Sequence, residues 1–161
     1  MGLERLTAYN GLWVKVSLSV DATRGQKAMK SSRSGGEQVM SRIRVLIVES
    51  HPPLRRLLSQ FLETLPDVQV IGQATTGDDA ISIARSVEPD MVILDSGLPG
   101  LNGFITASLI KDTLPGTCVV IVTDDDSDEY RVAAAGCGAS AYVAKERVHH
   151  DLLAVIRSIL K

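Results

Sequence analysis

The chain has 161 residues, of which 45% are hydrophobic and 22% charged, with a formal net charge of -2. That length fits one globular domain of ordinary size, and the composition supports a packed core rather than wholesale disorder. No apolar run approaches the ~18–20 residues of a membrane span, and two cysteines are too few for a disulfide framework or a thiolate metal cluster.

Charge divides the chain in two. Residues 1–41 carry +3 and residues 42–161 carry -5, so a mildly basic lead precedes an acidic body. In the lead, Trp13 to Val20 alternates: Val14, Val16, Leu18 and Val20 against Lys15, Ser17 and Ser19. Alternation signals a strand; one isolated strand is unstable, so it either joins a sheet edge or carries no structure. Residues 21–41 are polar and aperiodic and read as a flexible or disordered segment. Met40 is a second candidate start. The first residues lack the long apolar core of a secretory signal and the sixth-position Ser/Thr of a myristoylation site, so a cytoplasmic location is expected.

The body alternates strand and helix. Ile43 to Val48 is an apolar strand, and Pro52 and Pro53 open a helix with Leu54, Leu57, Leu58, Phe61, Leu62 and Leu65 on one face. Val68 to Ala74 reads as a strand, Gly77 to Val87 as a helix and Met91 to Leu94 as a strand ending on Asp95. A helix over Gly103 to Asp112 follows, then a strand over Cys118 to Val122 ending on Thr123. An acidic stretch opens a helix over Ser127 to Cys137, which Gly138 stops. Ala141 to Ala144 is the fifth strand, ending on Lys145, and Leu152, Leu153, Ile156, Ile159 and Leu160 mark the last helix. Strict alternation with near-continuous apolar strands predicts an α/β fold: a doubly wound, five-stranded parallel sheet with helices on both faces.

Ligands of such sheets bind beyond the carboxyl ends of the strands. The residues delivered there are Glu49 and Ser50, Asp95, Thr123 and Asp124, and Lys145. Carboxylates with backbone oxygens suit Mg²⁺, and a lysine with a hydroxyl suits phosphoryl oxygens. An aspartate beside a divalent ion can attack phosphorus.

The stretches VLIVESHPPLRRLL, ILDSGLPGLNG, VVIVT and GASAYVAK stand in an order and spacing that resemble the receiver domain of two-component response regulators, over residues 42–161. They are most similar to receivers that usually carry a helix-turn-helix output. The resemblance implies that Asp95 accepts a phosphoryl group from a histidine kinase or phosphotransfer protein. It implies that Lys145 pairs with Asp95 and then with the phosphoryl group. Thr123 would donate its hydroxyl to that group, and Tyr142 would be the aromatic switch. Mg²⁺ would sit on Glu49, Asp95 and the carbonyl of Gly97, while Pro99 and Gly103 shape the loop. The face made by the fourth helix, fifth strand and fifth helix of the body would meet a second copy or a downstream protein.

Two positions depart from the family pattern. Ser50 stands where a second acidic residue normally serves as a direct metal ligand, so weakened Mg²⁺ binding is expected. Asp124 stands where a small residue is usual; it could crowd and repel a phosphoryl group, or restore the carboxylate lost at Ser50. The expected function is a stand-alone phosphorelay receiver, a switch rather than a metabolic enzyme. The alternative is a pseudo-receiver that binds partners without phosphorylation. A Mg²⁺-dependent phosphohydrolase ranks below both, because Gly97 stands where its general acid is usual. Nothing in the acidic body favours direct binding to nucleic acid.

Overall fold

The computed structural model describes residues 5–9, 12–16, 41–125 and 127–160. Two strands in the lead, β1 (Arg5–Tyr9) and β2 (Leu12–Val16), pair antiparallel. Of the alternation expected over Trp13 to Val20, Trp13 to Val16 lie in β2, paired with a segment that showed no clear signal, and residues 17–20 lie outside the described residues. The flexible stretch read for residues 21–41 lies outside the described residues, save Ser41.

The body is a five-stranded all-parallel sheet in the order β4-β3-β5-β6-β7. Its strands are β3 (Ile43–Val48), β4 (Val68–Ala74), β5 (Met91–Asp95), β6 (Cys118–Thr123) and β7 (Ala141–Ala144). The helices are α1 (Pro52–Glu63), α2 (Gly77–Val87), α3 (Gly103–Thr113), α4 (Asp128–Gly136) and α5 (Val148–Ile159). A single 3₁₀ turn, Lys145–Arg147, joins β7 to α5. The doubly wound sheet expected from the alternating pattern is the one observed. Among the described residues, no helix is long and apolar enough to cross a membrane.

The strands are apolar throughout because both sheet faces are covered. Alternate residues feed two cores. Val45, Ile47, Met91, Ile93, Val120 and Val122 pack with Leu58 and Leu62 of α1 and Leu152 and Ile156 of α5. Leu46, Val48, Val92, Leu94, Val119 and Ile121 pack with Ala80 and Ala84 of α2, Ala107 and Ile110 of α3, and Ala134 of α4. Burying each large side chain contributes about 1.5–3 kcal/mol.

Helix ends follow local chemistry. Thr76 accepts the Asp79 amide at 3.2 Å, and Asn102 Oδ1 accepts the Ile105 amide at 3.0 Å. Glu88 closes α2 with φ 46°. This left-handed conformation is unusual for a residue with a Cβ, and Arg44 Nη1 holds it by donating to the Glu88 carbonyl at 3.0 Å. Gly138, at φ 80°, follows α4 as expected. Two apolar positions depart from the sequence reading. Leu57 is 42% exposed because it lies at the rim of the α1 stripe, and Leu160, just past the end of α5, is also exposed.

Candidate functional site

Three adjacent strands bring their carboxyl ends to one sheet edge. Glu49 follows β3, Asp95 ends β5 and Thr123 ends β6. All three are buried polar residues that follow apolar strands, at 1%, 5% and 1% exposure. Lys145, directly after β7, reaches back across them. Its Nζ lies 3.1 Å from Asp95 Oδ1 and 3.6 Å from Glu49 Oε2. Burial alone would lower the Lys145 pKa, but hydrogen bonding and charge from Asp95, then Glu49 and Asp124, lift it above its ordinary value. The ammonium is therefore charged and balances the buried carboxylates.

Glu49 is held as tightly. Its Oε1 accepts the His51 amide at 2.9 Å, and Arg55 Nη1 donates to its carbonyl at 2.9 Å. Its Oε2 is buried without a hydrogen-bond partner. Burial raises the Glu49 pKa; the His51 amide opposes that rise and the charge of Asp95 adds to it. The nearest cation to Oε2 is the Lys145 ammonium at 3.6 Å, beyond hydrogen-bond reach, which leaves room for a further cation.

The donor set limits what that cation can be. Among the described residues, no three His, Cys, Asp or Glu side chains gather as a metal cluster. Glu49 and Asp95 are two carboxylates, with the half-buried Ser50 and the Gly97 backbone beside them in sequence. Mg²⁺ is commonly held by one or two carboxylates, with waters and phosphate oxygens completing the shell. Glu49 Oε2, buried with no hydrogen bond and only the Lys145 charge near it, fits that demand beside Asp95. Gly97 places its amide on Asp95 Oδ1 at 3.2 Å.

Asp124 lies outside this pair. Its Oδ2 is 3.4 Å from Lys145 Nζ, while its side chain is 85% exposed. It meets the lysine from the solvent side. Lys145 thus has three carboxylates around it, two buried and one exposed.

The Thr123 hydroxyl is saturated. It accepts from Ser96 Oγ at 3.0 Å and from the Asp125 amide at 3.1 Å, and it can donate to the Asp125 carbonyl at 3.3 Å. The Tyr142 hydroxyl donates to that same carbonyl, with its ring buried in the second core. Thr123 and Tyr142 therefore meet through a backbone oxygen. Ser96 escaped the sequence reading, although a hydroxyl next to Asp95 was the signal available. Asp125 contributes through its backbone, which no residue type reveals.

The histidines and cysteines of the body have structural surroundings. His51 occupies the N-cap position of α1 without a side-chain cap bond. His149 packs its ring edge-on against Phe61, centroids 4.8 Å apart, and His150 sits exposed beside Asp151. Cys118 and Cys137 are free, half-buried thiols whose pKa values burial raises.

Comparison with known proteins agrees with this geometry. The family model described as response regulator receiver domain matches residues 45–157. The nitrate/nitrite response regulator NarL of Escherichia coli is 32% identical over 109 residues, covering 68% of this chain and 50% of the relative. The response regulator GacA of Pseudomonas aeruginosa is 30% identical over 117 residues, covering 73% of this chain and 55% of the relative. The chain thus spans about half the length of these curated relatives. Among solved structures, a CheY-like receiver domain protein from Methanospirillum hungatei aligns with TM-score 0.68 at 27% identity, covering 74% of this chain and 94% of that one. A LuxR-family DNA-binding response regulator from Staphylococcus aureus aligns with TM-score 0.69 at 27% identity, covering 74% and 99%.

Proposed function

The chain belongs to the response regulator receiver family, and from that premise we propose that Asp95 is a working phosphoryl acceptor in two-component signalling. The observation that carries the reading is the Lys145 ammonium, 3.1 Å from Asp95 Oδ1 and 3.6 Å from the buried Oε2 of Glu49. Lys145 and the Gly97 amide both engage Oδ1, so Oδ2 is the oxygen offered to phosphorus. Oδ2 forms the new P–O bond as the bond from phosphorus to the donor breaks. The donor would be a phosphohistidine on a histidine kinase or phosphotransfer protein. Lys145 then pairs with the added charge, and Thr123 donates to a phosphoryl oxygen.

Glu49, Asp95 and the Gly97 carbonyl would hold Mg²⁺, with Ser50 as a neutral neighbour. Bound there, the ion would neutralise charge on the phosphoryl oxygens. The missing charge at Ser50 makes this site weaker than one with a further carboxylate. Asp124, on the solvent side of Lys145, competes with the phosphoryl group for that lysine and does not restore the lost ligand. The output face is α4, β7 and α5, available to a second copy or a downstream protein. The proposal concerns the receiver portion: a switch rather than a metabolic enzyme, working in the cytoplasm.

The test is incubation with acetyl phosphate with and without Mg²⁺, read by intact mass. A Mg²⁺-dependent phosphoryl adduct lost in Asp95→Asn is the expected result. A second reading, a pseudo-receiver that works without phosphorylation, is favoured by Ser50 and by the Asp124–Lys145 pair. Unmodified protein at every Mg²⁺ concentration would select it.

A further inference from the structure

We propose that Ser96 is a positioning residue: its hydroxyl latches Thr123 in the resting orientation and so sets the threshold of the switch. The inference rests on the reading of Asp95 as phosphoryl acceptor and assigns a regulatory part to a side chain outside the acceptor machinery.

Three observations carry it. First, Ser96 is itself fixed. Its amide donates to the Val122 carbonyl at 2.9 Å, and its carbonyl accepts the Gly103 amide at 3.1 Å. Its backbone is thereby tied to both β6 and the start of α3, and cannot readily follow a moving Thr123. Second, the Ser96 hydroxyl joins the segment after β5 to the end of β6, donating to Thr123 Oγ1 at 3.0 Å across 27 positions of sequence. Third, a hydroxyl has one proton and two acceptor lone pairs, and Thr123 has all three engaged.

Thr123 must therefore redirect its proton from the Asp125 carbonyl before it can serve a phosphoryl oxygen. On this proposal, rotating the side chain also takes its oxygen out of reach of Ser96, whose backbone is held in place. The Ser96 bond consequently stabilises the resting rotamer and not the rotated one. Thr123 is buried, so water does not freely replace the lost donor. A contact present in one of two states shifts their populations by its own worth.

The test uses the full chain with Ser96→Ala and Ser96→Thr, each also combined with Thr123→Ala. One readout is the Thr123 side-chain rotamer in unphosphorylated protein, from methyl scalar couplings. The other is the steady-state phosphorylated fraction with acetyl phosphate and Mg²⁺, from intact mass. Ser96→Ala should open a second Thr123 rotamer and raise the ratio of phosphorylated to unphosphorylated protein about 2–10-fold, the worth of one neutral hydrogen bond. Ser96→Thr should restore both wild-type values, and Ser96→Ala should change nothing once Thr123 is alanine. A single Thr123 rotamer in Ser96→Ala overturns the latch. So does an equal gain in the Thr123→Ala background. If no variant takes a phosphoryl group, the acceptor reading fails, and the rotamer measurement decides the latch by itself.

Discussion

Gly103→Ala probes how closely α3 is docked on the end of β5. A Cβ at Gly103 would stand 2.2 Å from the Asp95 carbonyl oxygen, 2.7 Å from Ser96 Cα and 2.9 Å from the Asp95 carbonyl carbon. Ordinary contact begins at 3.4 Å, so α3 must retreat by about 1 Å or the end of β5 must bend. Every crowded atom is backbone, and β5 is hydrogen-bonded to β3 and β6 on its two sides. The strain has no flexible side chain to absorb it. Overpacking of this kind costs about 1–3 kcal/mol, and the backbone neighbours place this case at the upper end. With a urea slope of about 1–3 kcal/mol/M, the unfolding midpoint should fall by roughly 1 M or more. Gly77→Ala meets Thr106 Oγ1 at 2.3 Å, Leu101 Cβ at 2.9 Å and the Leu101 carbonyl oxygen at 3.0 Å; only one of these atoms is backbone, so its loss should be smaller. Gly116→Ala meets nothing within 4 Å and should stay within about 0.5 kcal/mol of wild type. Phosphorylation of Gly103→Ala by acetyl phosphate should also slow, since a 1 Å misplacement can cost ~10²-fold in rate. Coincident urea midpoints for Gly103→Ala and Gly116→Ala would refute the reasoning.

Three further outcomes are expected. Ser50→Asp should tighten Mg²⁺ binding roughly tenfold or more, the scale of one charged contact, as measured by isothermal titration. Thr117→Val strips a buried hydroxyl that donates to the Pro89 carbonyl at 2.9 Å; the unsatisfied carbonyl should cost about 1–3 kcal/mol in urea unfolding. In metal-free buffer, burial raises Glu49 above its ordinary 4.5, so the native state holds this proton to higher pH than the unfolded chain. Glu49 therefore makes stability fall as pH climbs from about 4.5 through its raised pKa. Glu49→Gln should flatten that slope in thermal melts across the same range.

Much of the fold was legible because burial on both sheet faces demands apolar strands. Met91–Asp95 and Cys118–Thr123 could hardly be anything else in a chain of this size. The site was legible for the same reason in reverse. Glu49, Asp95, Thr123 and Lys145 interrupt apolar runs at the one end where a parallel sheet gathers its ligands. The hidden parts depend on information that residue type does not carry. The α1 pattern marks a stripe but not its margin, so Leu57 was placed inside while it stands exposed. Asp124 allowed two readings because residue type does not say on which side of Lys145 its carboxylate lies; it lies on the exposed side. The Ser96–Thr123 bond needs β5 and β6 to be neighbours, which is a matter of strand order rather than of either residue.

That order has a consequence for how far a signal must travel. β7 is the terminal strand of its sheet, four residues long. It holds Tyr142 in its middle and hands the chain on to Lys145 at its end. Lys145, which touches Asp95, and the last strand of the sheet therefore belong to one short piece of backbone. Were Asp95 to take a phosphoryl group, the change at Lys145 would have no long route through the core to reach β7, and β3, β5 and β6 would serve as the mount against which that strand is displaced.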